Sequence, residues 1–226
     1  MPTVLLHGFA GTPRHWDRVL GFGVDGLTLA LSDADPLTPD GVAGLAAAAA
    51  PGRFTLAGYS MGGRLALHAA LAMPERVERL VLISASAGIE DAAARIRRRE
   101  ADEALATQIA GHDIEWFVER WRALSLFAQD PAWIVEDVAR DERRCTPAAL
   151  ASCLREFGPG AMAPMWDRLG ELAMPVTVLA GERDEQYVAA GRRLAEAIAD
   201  AELQVVADAG HRLALEAPHA IATALG

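Results

Sequence analysis

The stretch Arg53-Phe54-Thr55-Leu56-Ala57-Gly58-Tyr59-Ser60-Met61-Gly62-Gly63-Arg64 constrains the fold more than any other part of the chain. A short apolar run meets the pattern Gly58-x-Ser60-x-Gly62, and the helix-forming run Arg64-Leu65-Ala66-Leu67-His68-Ala69-Ala70 follows. This reads as a buried strand, a sharp turn and a helix start, the context in which a Gly-x-Ser-x-Gly pattern raises a serine hydroxyl above a sheet. The spacing has a steric reason. Strand and helix crowd together at such a turn, and glycines remove the Cβ atoms that would collide. The helix start then points unpaired N–H groups at any negative charge that develops beside the serine. Ser60 is therefore the expected catalytic serine. The alternative is an ordinary glycine-rich strand-to-helix turn.

The rest of the chain repeats the strand–helix alternation. Apolar runs at Thr3 to Leu6, Leu27 to Leu31, Arg79 to Ser84, Met174 to Ala180 and Glu202 to Ala207 read as strands. Helical patterns lie between them, such as the one opened by Thr38-Pro39-Asp40 and stopped by Pro51-Gly52. Such alternation implies an α/β fold with a mostly parallel sheet flanked by helices. Residues 90–160 break the pattern: they hold helical segments, including Ile114 to Leu124 and Pro147 to Phe157, and no convincing strand. The expected organisation is a first core part at residues 1–88, an inserted all-helical cap at 89–165 and a second core part at 166–226.

Further site residues sit where strands end. His7-Gly8-Phe9 follows the first strand, and a backbone N–H there commonly serves an oxyanion hole. Phe9 N–H and Met61 N–H are the candidate donors, with the His7 imidazole a structural turn residue. Asp184 follows the strand ending at Gly181, and His211 follows the last strand. The chain order Ser60, Asp184, His211 suits a relay in which His211 takes a proton, Asp184 fixes its tautomer and Ser60 is activated. Asp208 is the rival acid, disfavoured because it lies too near His211 in sequence to reach the imidazole. His15 reads as a surface or pocket-rim residue; His68, His112 and His219 read as helix-surface or packing residues.

Composition narrows the partners. Net charge is −10, from 21 basic and 31 acidic residues, which argues against general nucleic-acid binding. The cap's basic run Arg95-Ile96-Arg97-Arg98-Arg99 can still serve a small anionic ligand, and the remainder of it reads as a solvated helix face. Cys145 and Cys153 match no metal spacing or disulfide framework, consistent with free thiols in a reducing cytoplasm. The N-terminus lacks a basic signal-peptide region, and the alanine-rich stretch from Val42 is too short to span a membrane. No metal or organic cofactor is implied. The expected molecule is a monomer or weak homo-oligomer that does not engage membranes.

The blocks His7-Gly8-Phe9, Gly58-Tyr59-Ser60-Met61-Gly62-Gly63-Arg64, Gly181-Glu182-Arg183-Asp184 and Ala209-Gly210-His211 resemble the α/β-hydrolase superfamily. Arg64, Arg95, Arg98, Trp121, Leu126-Phe127, Leu154-Arg155 and Trp166-Asp167 resemble more narrowly its 2-succinyl-6-hydroxy-2,4-cyclohexadiene-1-carboxylate synthases, enzymes of menaquinone biosynthesis. The resemblance implies a lyase: the triad acts as a base on a polycarboxylate and pyruvate is eliminated without an acyl-enzyme. It implies that Arg64 and one of Arg95 or Arg98 pair with substrate carboxylates, and that Tyr59 and Trp121 line the substrate site. Guanidinium forks suit planar carboxylates, which agrees with that role. Gln186 stands where the family commonly has lysine, and Ala214 where it commonly has a second histidine. The alternatives are a carboxylic-ester hydrolase using Ser60 as nucleophile and a non-catalytic binding protein.

Overall fold

The computed structural model describes residues 1–226. Six strands form one sheet: β1 (Thr3–Leu6), β2 (Gly26–Leu29), β3 (Phe54–Tyr59), β4 (Val77–Ile83), β5 (Val176–Gly181) and β6 (Ala201–Val206). Their order is β2-β1-β3-β4-β5-β6, and every neighbouring pair is parallel. The central strands are apolar at nearly every position because both faces are covered, as parallel sheets require. Alternate side chains divide between two cores. Val4, Leu6, Leu56, Leu80, Leu82, Val176 and Val178 pack on one face, with Leu65 and Leu194. Leu5, Ala57, Tyr59, Val81, Ile83 and Leu179 pack on the other, with Trp16, Val19, Leu213 and Ile221.

The helices are α1 (Asp17–Leu20, after a 3-10 turn at Pro13–Trp16), α2 (Pro39–Ala49), α3 (Met61–Ala72), α4 (Ala92–Ala110), α5 (Ile114–Arg122), α6 (Ala132–Glu142), α7 (Pro147–Phe157), α8 (Glu185–Ala197), α9 (Leu213–Glu216) and α10 (Pro218–Leu225). Thr38 and Thr146 cap α2 and α7, accepting from Gly41 N and Ala149 N, with proline at the first turn of each. Several boundaries differ from the sequence expectation, two of them for visible reasons. The second strand stops at Leu29, because Leu31 turns into a 3-10 helix at Leu31–Asp33 and is itself buried. The helix after β5 begins at Glu185 rather than near Arg192, because Val188 already packs inward on the same face as Leu194.

Helices α4 to α7 all lie between β4 and β5. They carry a small core of their own, in which Ala106, Ile109, Phe117, Val118, Leu150 and Leu154 pack together with Ala10 from the loop after β1. Ala10, with Phe9 packed on the same cluster, places the helical insertion against the loop beyond β1. The chain leaves β1 toward β2 on one side and returns to β3 on the other, so β1 and β3 flank the switch point of the sheet. The loops beyond their carboxyl ends diverge and leave a crevice, the general ligand position in open α/β sheets.

Candidate active site

Ser60 lies in that crevice, directly after β3. Its backbone is left-handed and strained, with φ 53° and ψ −111°, and it is held by a bond from Ser60 N–H to Ile83 O at 2.8 Å. Gly62 is required on steric grounds: a Cβ there would strike the Leu6 and His7 carbonyls. A Cβ on Gly58 would strike the Gly62 carbonyl in the same way. The first N–H groups of a helix have no partner within it, and Met61 N–H finds no other protein acceptor.

His211 and Asp184 reach Ser60 from two other loops. His211 Nε2 is 3.2 Å from Ser60 Oγ, and His211 Nδ1 is 2.6 Å from Asp184 Oδ2. The carboxylate can only accept, so Nδ1 carries the proton and Nε2 is left to accept from the serine hydroxyl. Both His211 and Asp184 are buried. The loops bearing them meet because Gly181, at the end of β5, lies against the Ala209 and Gly210 carbonyls with no room for a Cβ. Arg183 bonds to the Ala209 and Asp208 carbonyls and to Glu216, whose carboxylate also accepts Gly210 N–H at 2.9 Å. Asp208, the rival acid, is exposed, with its own N–H bonded to Glu182, and it makes no bond to His211.

Phe9 and Met61 both line the cavity beside Ser60, and neither N–H has a protein acceptor. The loop presenting Phe9 is braced by His7. Leu31 N–H donates to His7 Nε2 at 3.3 Å, which leaves the protonated Nδ1 to donate to Gly8 O at 2.8 Å. Burial lowers the His7 pKa and keeps the ring neutral, as this double role demands.

The cavity is about 290 Å³ and is closed over by residues of α4 to α7. Arg64 enters it from α3. The guanidinium is only 4% exposed and donates to Phe157 O at 2.7 Å and Met162 Sδ at 3.3 Å, with no carboxylate in ion-pair range. Burial lowers its pKa from 12.5 to about 10. It is therefore a buried cation without a counter-ion. Arg98 also lines the cavity but already pairs with Asp102 at 2.8 Å. Arg95 does not line it: the guanidinium folds back onto the Ile89 and Glu90 carbonyls at the start of α4. Expecting both cap arginines as equal candidates is thus corrected in favour of Arg98, which lies one turn further along the helix. Tyr59 and Trp121 line the cavity, Trp121 packing edge-on to Phe9 at 4.9 Å. Trp116 stacks on His112, and Trp133 lies exposed under Arg18, so neither lines it.

Lining residues outside the quoted motifs include His15, Tyr187 and Arg212. His15, expected at the surface or the pocket rim, lines the cavity and is buried there. It stacks on Tyr59 at 4.5 Å, and burial drives its pKa down to about 3. Tyr187 sits 4.7 Å from the His211 ring. Phe127 and Arg212 complete the wall next to His211. Arg212 was legible only as the residue after the histidine; nothing local marks its partners. Gln186 and Ala214 do not line the cavity: Gln186 is exposed and Ala214 lies in the core.

A family model described as the alpha/beta hydrolase family matches residues 3–224. The chain belongs to the alpha/beta hydrolase family. Among family relatives, a Bacillus subtilis protein provisionally named 2-succinyl-6-hydroxy-2,4-cyclohexadiene-1-carboxylate synthase is 34% identical over 72% of this chain, and the match spans 61% of that protein's length. A Klebsiella pneumoniae protein named 2-succinyl-6-hydroxy-2,4-cyclohexadiene-1-carboxylate synthase is 27% identical, with 98% of this chain and 91% of that protein covered. The solved structure of MenH from S. aureus superposes with a TM-score of 0.91 at 28% identity, covering 100% of this chain and 91% of that one. No helix of this family member is long and apolar enough to cross a membrane.

Proposed function

We propose that this protein catalyses the reaction named for its synthase relatives: a base-initiated elimination of pyruvate from a small polycarboxylate, giving 2-succinyl-6-hydroxy-2,4-cyclohexadiene-1-carboxylate. The observation that carries the reading is Arg64, a buried guanidinium with no counter-ion in the same cavity as Ser60. An uncompensated buried charge is costly, and an anionic ligand would offset that cost. A neutral ester would not.

In this mechanism Ser60, His211 and Asp184 form the catalytic triad. His211 Nε2 draws the Ser60 proton, and Ser60 Oγ removes a carbon-bound proton from the substrate. The electrons of that bond move through the substrate and break the C–O bond to the enolpyruvyl group, which leaves as an enolate. The enolate takes the imidazolium proton at carbon to become pyruvate, and Ser60, keeping the substrate's proton, is again a hydroxyl beside neutral His211. Asp184 stabilises the imidazolium that forms. Phe9 N–H and Met61 N–H receive the oxygen on which negative charge develops; losing one such donor typically costs ~3 kcal/mol. Arg64 holds one carboxylate of the substrate and Arg98, from the cap, holds another. Tyr59 and Trp121 close the apolar sides.

A second reading, ester hydrolysis, is favoured by one observation. The strained Ser60 and the two free N–H groups equally suit attack on an acyl carbon. One experiment separates the two. Pyruvate release is followed from the succinyl-enolpyruvyl cyclohexene precursor with wild type and Ser60→Ala. Release that disappears in the variant supports the lyase reading. Absence of release, with Ser60-dependent cleavage of an aryl ester, supports the hydrolase.

A further inference from the structure

Arg212 follows His211 directly and is only 7% exposed. Its backbone belongs to the core, where its carbonyl accepts the Leu215 and Glu216 N–H groups at the start of α9. Its side chain belongs to the cap. Nε donates to Asp130 Oδ2 at 2.6 Å, Nη2 lies 3.6 Å from Glu142 Oε1, and the guanidinium sits 3.9 Å above the Phe127 ring. Asp130, Glu142 and Phe127 all lie in the insertion between β4 and β5. Phe127 in turn packs 6.0 Å from the His211 ring.

Other polar ties join cap and core near the cavity, among them Arg64 to the Phe157 carbonyl, Thr12 to Asp141 and Arg18 to Asp137. Asp137 and Arg18 are each 39% exposed, so water and salt weaken that pair. The Arg212 cluster is different. Arg212, Asp130 and Glu142 are all under a tenth exposed, and neither Glu142 oxygen makes a hydrogen bond. Burying two carboxylates beside one guanidinium is an expensive way to hold a lid. An apolar contact would do that at less cost. What the charged cluster adds is direction: a guanidinium bonded through Nε and stacked on a ring fixes its own backbone closely, and that backbone is the peptide next to His211.

We infer that Arg212 is a positioning residue that makes seating of the cap and alignment of His211 a single event, through its bond to Asp130 and its stacking on Phe127. Arg64 and Arg212 thus divide the cavity's buried positive charge. Arg64 has no carboxylate within ion-pair range and is free to meet an anionic ligand; Arg212 is already neutralised by the cap and acts on the histidine. The inference rests on His211 being the base of the triad.

The test uses a fluorophosphonate, whose phosphorus is attacked by Ser60 Oγ while fluoride leaves and His211 takes the serine proton. Its labelling rate reports on the triad without requiring the natural substrate. Pyruvate release supplies kcat and KM. Arg212→Gln is expected to slow labelling and kcat by roughly ten- to hundred-fold, the scale of a misplaced catalytic group, while KM stays within about twofold. Asp130→Asn should reproduce that loss, and the double variant should be no worse than either single one, as for two halves of one interaction. Arg212→Lys should recover part of the rate. Labelling and kcat unchanged in Arg212→Gln, or a KM rise at constant kcat, would overturn the inference. The second result would make Arg212 a substrate ligand instead. Should Arg212→Gln not fold, Asp130→Asn carries the same criteria. A wild type that the phosphonate does not label would remove the triad reading and this inference with it.

Discussion

Replacing Arg64 by methionine should make the empty protein more stable and the enzyme much worse. The guanidinium is buried without a counter-ion, and its pKa falls from 12.5 to about 10. That drop corresponds to about 3 kcal/mol of penalty on the charged form, present in full at neutral pH. The sign follows from linkage: a base whose folded pKa is lowered destabilises the fold at every pH below that pKa, and the penalty fades only as pH rises from about 10 toward 12.5. Against this gain stands the loss of the bonds to Phe157 O and Met162 Sδ. Leaving that carbonyl without a donor costs about 1–2 kcal/mol. Methionine fills similar length with a flexible apolar chain, so little cavity remains. The balance is a gain of about 1–2 kcal/mol, which at this chain length raises Tm by a few degrees. Activity moves the other way. Removing one member of a buried, hydrogen-bonded charge pair typically costs 2–5 kcal/mol, so kcat/KM on the polycarboxylate should fall roughly a hundredfold or more. Calorimetry and pyruvate release measure the two arms, and hydrolysis of a small neutral ester serves as control. A drop in Tm, together with equal loss on both substrates, would show Arg64 to be a structural strut and refute the argument.

The same reasoning applies with opposite sign to Glu142, whose pKa burial raises from 4.5 to about 7. The folded state then binds the proton more tightly, so this group's contribution to stability is full below pH 4.5 and lost as pH rises through 7. Glu142→Gln should abolish that slope, its Tm advantage over wild type growing between pH 5 and 8; a constant difference would refute it. At the elbow, Gly62→Ala should cost about 2–4 kcal/mol or prevent folding, because the backbone carbonyls its Cβ would meet cannot move aside. Gly44→Ala in α2, where a Cβ meets nothing, is the control and should stabilise by roughly 0.5–1 kcal/mol in denaturant titration.

The sheet and the serine were legible because the residues that decide them are close in sequence. An apolar run beside Gly58-x-Ser60-x-Gly62 permits a tight strand-to-helix turn that bulkier residues would block, and the structure makes that turn at the cost of strain in Ser60. The identity of the acid was legible for a related reason: a carboxylate must approach the ring from another loop, and Asp184 can do so where Asp208 cannot. Charge partners were not legible in this way. Arg95 and Arg98 look alike in a basic run, and only the fold shows that one folds back onto the carbonyls preceding its own helix while the other lines the cavity. His15 reads from the sequence as a surface or pocket-rim residue, and it does line the cavity. Its burial follows from stacking on Tyr59, far off in sequence. Arg212 and Asp130 are separated by 82 positions, and no period or motif connects them.

That difference bears on what the family match can carry. The triad geometry recurs throughout an architecture that hosts many reactions, so matching it says little about substrate. The information specific to this chain lies in how its buried arginines are, or are not, neutralised. In the empty cavity Arg98 is answered by Asp102, Arg212 by Asp130, and Arg64 by backbone and sulfur alone. A site for uncharged esters would gain stability by losing Arg64, because the bonds to Phe157 O and Met162 Sδ offset only part of the cost of burying the charge. On the proposed function an anionic group on the ligand would offset that cost, and this is why the Arg64→Met experiment bears more directly on the reaction than any substitution within the triad.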